Sequence, residues 1–178
     1  MTKSGKMITI GAVTIFLFLL VISYKLSVSK RMILTTPAFK NGEPIPKKFT
    51  CEGGDMNPEL HVENLPQGAK SLALLVEDPD APGGTFVHWI VWNIDPLAAF
   101  IKEESKPMKS VEGTNSGARM GYMGPCPPPG APHRYFFKVY ALDIQISLMP
   151  GAKKEEFKAA ITGHVLTDAE LMGTYQRE

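Results

Sequence analysis

Two histidines, two aspartates and a proline-ringed cysteine are the residues of this chain best suited to chemistry. Glu77-Asp78-Pro79-Asp80-Ala81-Pro82 closes an apolar run and enters a loop. Its prolines fix φ and stop helix or sheet from continuing, so the Asp78 and Asp80 carboxylates sit in a stiff turn. Six residues after Pro82 come His88 and Trp89, at the mouth of the next apolar run. Further on, Cys126 is followed by three prolines, then Gly130, Pro132 and His133-Arg134-Tyr135 at the mouth of another. The arrangement repeats: a rigid loop, then a polar group at a strand entrance. Entrances on adjacent strands would place His88 and His133 side by side, with Asp78 between or behind them. Such a set suits a binding pocket. It also suits a hydrolase, with Cys126 as nucleophile or a divalent metal held by Asp78, His88 and His133. The plain alternative is turn aspartates bonding their own backbone and histidines satisfied structurally.

Strands must position these groups. Ser71–Val76 is a short apolar segment bounded by turn residues, as a buried strand requires. His88–Ile94 and Tyr135–Leu142 are rich in β-branched and aromatic residues and read as two more. Leu166–Tyr175 reads as a last strand, although Ala169-Glu170-Leu171-Met172 also tolerates a helix. Asn41-Gly42 signals a turn, and Pro44-Ile45-Pro46 cannot sit inside a central ladder. A helix is expected over Lys153–Thr162: Phe157 and Ile161, with Ala160 beside them, make one apolar stripe, and Gly163 stops it. Ala152 and Lys153 offer its first N–H groups no side-chain acceptor. Glycine and proline crowd residues 113–132, but too little chain follows for an independent second domain, and the strand right after is strongly apolar, so an interdomain linker does not fit. A long, stiff loop lying on a β scaffold fits better, and such loops usually carry function.

The sequence divides into a short basic start (1–6), an uncharged apolar run (7–24), a polar stalk (25–33) and a folded domain (34–178). As a helix the run would cover roughly 27 Å, close to a bilayer's hydrocarbon thickness. It is apolar on every face and longer than the usual core of a signal peptide, so an uncleaved signal anchor is expected. Ser27-Val28-Ser29 also offers a small-x-small cleavage site, which would release a secreted domain. Basic residues flank both ends, so charge alone does not orient the segment. The cysteines favour an extracytoplasmic domain. Cys51 and Cys126 are the only two, form no CxxC motif, and permit a disulfide. Closing that loop would be worth about 4–5 kcal/mol in the chain-entropy model. Net charge is +1 with both signs interspersed, which gives nucleic acid no electrostatic footprint.

Several segments together resemble the phosphatidylethanolamine-binding protein family, most closely its prokaryotic, Raf kinase inhibitor-like branch. They are FTCEGGDMNPEL (49–60), DPDAP (78–82), His88-Trp89, GPCPPPGAPHRYFF (124–137) and HVLTDAELMGTY (164–175). The similarity runs from about Phe39 to the C-terminus and leaves out the apolar run. It implies a mainly β fold: a sandwich of a large and a small antiparallel sheet with one or two short helices, here preceded by the apolar N-terminal helix. It further implies a small pocket for phosphate-like anions formed by Asp78, Pro82, His88, Gly124, Pro125, His133 and Tyr135. Imidazoles near pKa 6.5 donate to an anion and gain charge readily when one arrives. Glycine would let a backbone N–H reach the ligand, and Asp78 would orient a histidine rather than touch the anion.

The expected role is a binding module, without metal or cofactor, that regulates or inhibits another protein such as a protease or kinase. Only Gly83–Val87 separates DPDAP from the histidine strand, and the chain ends at Glu178. Eukaryotic members carry extra sequence at the first place and a gating helix at the second, so their kinase and lipid functions do not transfer.

Overall fold

Every residue of Ser71–Asp78 (β3) is buried, and the large sheet is built around that strand. In the computed structural model, which describes residues 30–98 and 100–177, β3 is hydrogen-bonded on both sides. Its alternating side chains serve two cores. Leu72, Leu74 and Val76 point between the sheets with Trp89, Val91 and Phe137. Ala73 and Leu75 point the other way, towards Trp92, Phe157 and Ile161. A continuous apolar run is what a strand covered on both faces needs.

β1 (Ile33–Thr35), β2 (Leu60–Glu63) and β5 (Phe100–Ile101) form the small antiparallel sheet, in the order β1-β2-β5. The large sheet adds β4 (Phe86–Ile94), β6 (Val111–Glu112), β7 (His133–Leu142) and β8 (Val165–Tyr175), in the order β6-β4-β3-β7-β8. All its strand pairs are antiparallel. Residues 165–175 are strand along their whole length, paired to β7 from His133↔Tyr175 to Leu142↔Val165. That ladder overrides the helical preference of Ala169–Met172.

One α-helix is present among the described residues, α1 (Lys154–Ile161), and it lays Phe157 and Ile161 on the outer face of the large sheet. Gly163, at φ 82°, ends it in the left-handed conformation. Its start lacks an acceptor at the cap itself, but Glu156 reaches back and accepts the Lys153 N–H at 2.8 Å, half of a capping box.

The compact unit begins at Met32, whose side chain is 2% exposed in the inter-sheet core. The apolar run 7–24 lies outside the described residues. Among the described residues no helix is long and apolar enough to cross a membrane.

Candidate functional site

The step that places the first histidine is a bulge. Val76 pairs with Trp89 and the next β3 residue, Glu77, pairs with Val87, so His88 is the extra residue between them. A β-bulge frees a residue from the ladder and re-aims its side chain. Its backbone carbonyl accepts the Met123 N–H at 3.0 Å, and its ring Nδ1 lies 2.6 Å from the Met123 carbonyl oxygen. A carbonyl can only accept, so Nδ1 carries the hydrogen. The ring packs 4.9 Å from Phe86 and 5.2 Å from Tyr135, centroid to centroid. Burial in these surroundings pushes the His88 pKa below 6.5, against the opposing pull of the Met123 bond and the Asp78 and Asp55 charges.

His133 opens β7, and Asp78 closes β3. His133 Nδ1 lies 2.8 Å from Asp78 Oδ2, with the side chains only 12% and 4% exposed. The other oxygen of Asp78 accepts the Asp80 N–H at 2.8 Å, so the carboxylate is spent on positioning. Asp80 in turn accepts three bonds from Arg134: from N at 3.0 Å, Nε at 2.8 Å and Nη2 at 2.7 Å. That guanidinium holds the Asp80 pKa down to about 2. The two aspartates of the stiff turn thus fasten it to the first two residues of β7.

Between these groups lies a cavity of about 280 Å³. Six of the seven residues that the family resemblance implies wall it: Asp78, Pro82, His88, Gly124, His133 and Tyr135. The seventh, Pro125, does not; it is buried, and its carbonyl accepts the Cys51 N–H at 3.1 Å. The expected role of the glycine also changes. The Gly124 N–H is taken by Asp55 Oδ1 at 2.6 Å. Glycine is required here because a Cβ would stand 2.6 Å from the Phe49 carbonyl oxygen. Tyr135 is 1% exposed, and its hydroxyl is buried with no partner in hydrogen-bonding geometry among the described residues. Burial first, then the Asp78 carboxylate, through its charge and as an acceptor for the hydroxyl, raises its pKa, although that contact falls short of ordinary hydrogen-bond geometry.

Sequence reasoning missed five of the wall residues, Ala81, Phe86, Met123, Pro127 and Pro128; Cys126, singled out there as a possible nucleophile or disulfide partner, is wall as well. Most of these contribute carbon surface, and nothing about Met123 in the sequence marks the two bonds it makes to His88. Asp55 was missed as well. It lies within the 49–60 motif at φ 51°, and besides Gly124 it holds Arg119 at 2.8 Å. Cys51 and Cys126 are joined by a disulfide, so Cys126 offers no thiolate to a substrate. Among the described residues no three His, Cys, Asp or Glu side chains converge as a metal would need, since His88 Nδ1 turns to Met123 while Asp78 meets His133. Neither version of the hydrolase alternative finds support.

A two-sheet antiparallel sandwich with a small, mostly carbon-walled cavity at its strand entrances is a ligand-binding module. A family model described as phosphatidylethanolamine-binding protein matches residues 35–176, and the chain belongs to that family. A UPF0098 protein of Pyrococcus abyssi is 46% identical over 156 residues, covering 84% of this chain and 88% of its own. A UPF0098 protein of Chlamydia trachomatis is 44% identical over 152 residues, covering 83% of this chain and all of its own. A solved Chlamydia trachomatis structure, described as a putative phosphatidylethanolamine-binding protein homolog, superposes with a TM-score of 0.80 at 44% identity, covering 84% of this chain and 100% of that one. E. coli YbcL, described as a new member of the mammalian family, superposes at 0.79 with 29% identity and the same coverage.

Proposed function

We propose that the cavity receives the phosphate-like anionic group of a small ligand, and that the domain binds rather than transforms it. The observation that carries this reading is the state of the two imidazoles. Each has its Nδ1 committed inside the protein, to Met123 and to Asp78, which leaves each Nε2 for a guest. The Tyr135 hydroxyl, held within the protein by no more than a loose contact with Asp78, is a third donor at the same wall. Two imidazoles and a phenol match the several acceptor oxygens of a phosphate monoester.

Calorimetric titration of the full chain with phosphate, phosphoserine and phosphoethanolamine tests this. Heat of binding that His133→Ala and His88→Ala abolish is expected. No heat with any of the three would overturn the anion reading. A regulatory role follows if the anionic group belongs to a protein partner. We also propose that residues 7–24 anchor the domain to a membrane on its outer side. Resistance of the domain to protease added to intact cells would refute that orientation.

A further inference from the structure

We infer that Arg177 is an anion-recognition residue of this cavity, the permanent positive charge that its phosphate-like ligand pairs with. The inference rests on the anion reading above and names a residue that reading does not use. The cavity needs such a charge. Asp78 brings a negative one, and burial disfavours the charged form of His88. The nearby guanidinium of Arg134 is consumed by Asp80, and that of Arg119 by Asp55.

Arg177 differs from both. Its Nη1 lies 3.5 Å from the Pro127 carbonyl oxygen and 3.9 Å from Cys126 Sγ, and both residues line the cavity. These contacts sit at the outer limit of hydrogen bonding. Among the described residues its buried Nε has no acceptor, and no carboxylate lies within ion-pair distance of it. A buried guanidinium N–H without an acceptor is rare enough to require an explanation. Its neighbour two residues back is fastened independently, because the Tyr175 hydroxyl donates to Glu52 Oε2 at 2.5 Å. The backbone is therefore held beside the cavity while the guanidinium itself is loosely kept. Arg177 is not itself part of the cavity wall, but its planar fork stands against two residues that are, and such a fork offers paired N–H groups to two phosphate oxygens.

The test is phosphoserine binding by the full chain carrying Arg177→Met or Arg177→Lys. Methionine keeps most of the apolar stem and removes the charge; lysine keeps the charge and loses the fork. Arg177→Met is expected to weaken binding roughly tenfold to a hundredfold, the usual worth of a charge-assisted hydrogen bond. Arg177→Lys should recover part of that loss. The salt dependence of the dissociation constant should become shallower in the methionine variant, an effect that a purely structural role would not produce. Wild-type binding matched by Arg177→Met, with the same salt slope, overturns the Arg177 assignment and leaves the cavity reading intact. Absence of wild-type binding removes both.

Discussion

Ligand uptake by this cavity should be accompanied by uptake of protons, and the number follows from the ring geometry. Both Nδ1 atoms are already bonded within the protein. For either Nε2 to meet an anionic oxygen, a proton must lie between them, on the ring or on the ligand. Phosphoserine is mostly a dianion above pH 7 because its second pKa is about 6, so that proton must come from solvent. Burial keeps His88 neutral in the free protein at neutral pH. It therefore contributes about one proton per ligand bound between pH 7.5 and 8.5. Linkage then fixes the affinity: each proton taken up weakens the dissociation constant about tenfold per pH unit, or about 1.4 kcal/mol. The assay is calorimetry of phosphoserine binding in buffers of different ionisation heat at one pH. The slope of observed enthalpy against buffer ionisation enthalpy counts the protons. A slope of zero, with a dissociation constant unchanged from pH 7.5 to 8.5, would refute the assignment of His88 Nε2 as a ligand contact.

Three further outcomes are expected. Replacing both cysteines (Cys51→Ser with Cys126→Ser) should lower unfolding free energy by about 4 kcal/mol, because the bridge closes a separation of 75 residues; a urea midpoint equal to wild type at equal slope would contradict this. Gly124→Ala should cost about 2 kcal/mol and empty the cavity of function, since its Cβ meets the backbone of Phe49 and Thr50 at 2.6 and 2.8 Å; wild-type anion affinity in a variant of unchanged thermal midpoint would count against the close approach. His88→Gln should flatten the pH dependence of stability: a histidine with lowered folded pKa gives stability that is full above about 6.5 and is lost as pH falls towards the folded value. Denaturation at several pH values between 4.5 and 7.5 reads this, and parallel wild-type and variant curves would disprove it.

The large sheet was legible because its strands carry their burial in their composition. The apolar run of β3 and the aromatic, β-branched β4 and β7 have few other fates. The last strand was ambiguous, since Ala169–Met172 prefers helix locally and only the β7 ladder decides it. The helix start looked uncapped because the acceptor is Glu156, reaching back from inside the helix. At the cavity, the titratable groups stood out by type and by the stiff loops around them. What stayed hidden was backbone. The extra residue of the bulge at His88 depends on how two strands register, the Met123 carbonyl is common to every residue type, and Asp55 acts across a fold rather than along a motif. Arg177, proposed above as a ligand contact, lies two residues past β8, where no pattern near the histidines points to it.

These hidden ties make the cavity a rigid one, and rigidity decides what selects its guest. One wall is fixed by Arg134 on Asp80 and Asp78 on His133. The opposite wall is fixed by the Cys51–Cys126 bridge, the Cys51 N–H on Pro125, and Asp55 on Gly124. Prolines at 82, 127 and 128 restrict the backbone further. A ligand entering such a site orders little of the protein, so little binding energy is lost to conformational entropy. Discrimination must then come from charge and donor count within about 280 Å³. The walls are largely carbon, so a neutral guest gains dispersion but leaves the Tyr135 hydroxyl without a partner unless it carries an acceptor. On the reading proposed above, an anion would satisfy that hydroxyl and both Nε2 atoms together, at the cost of bringing in protons. Affinity for such a guest should then depend on proton supply more than on shape.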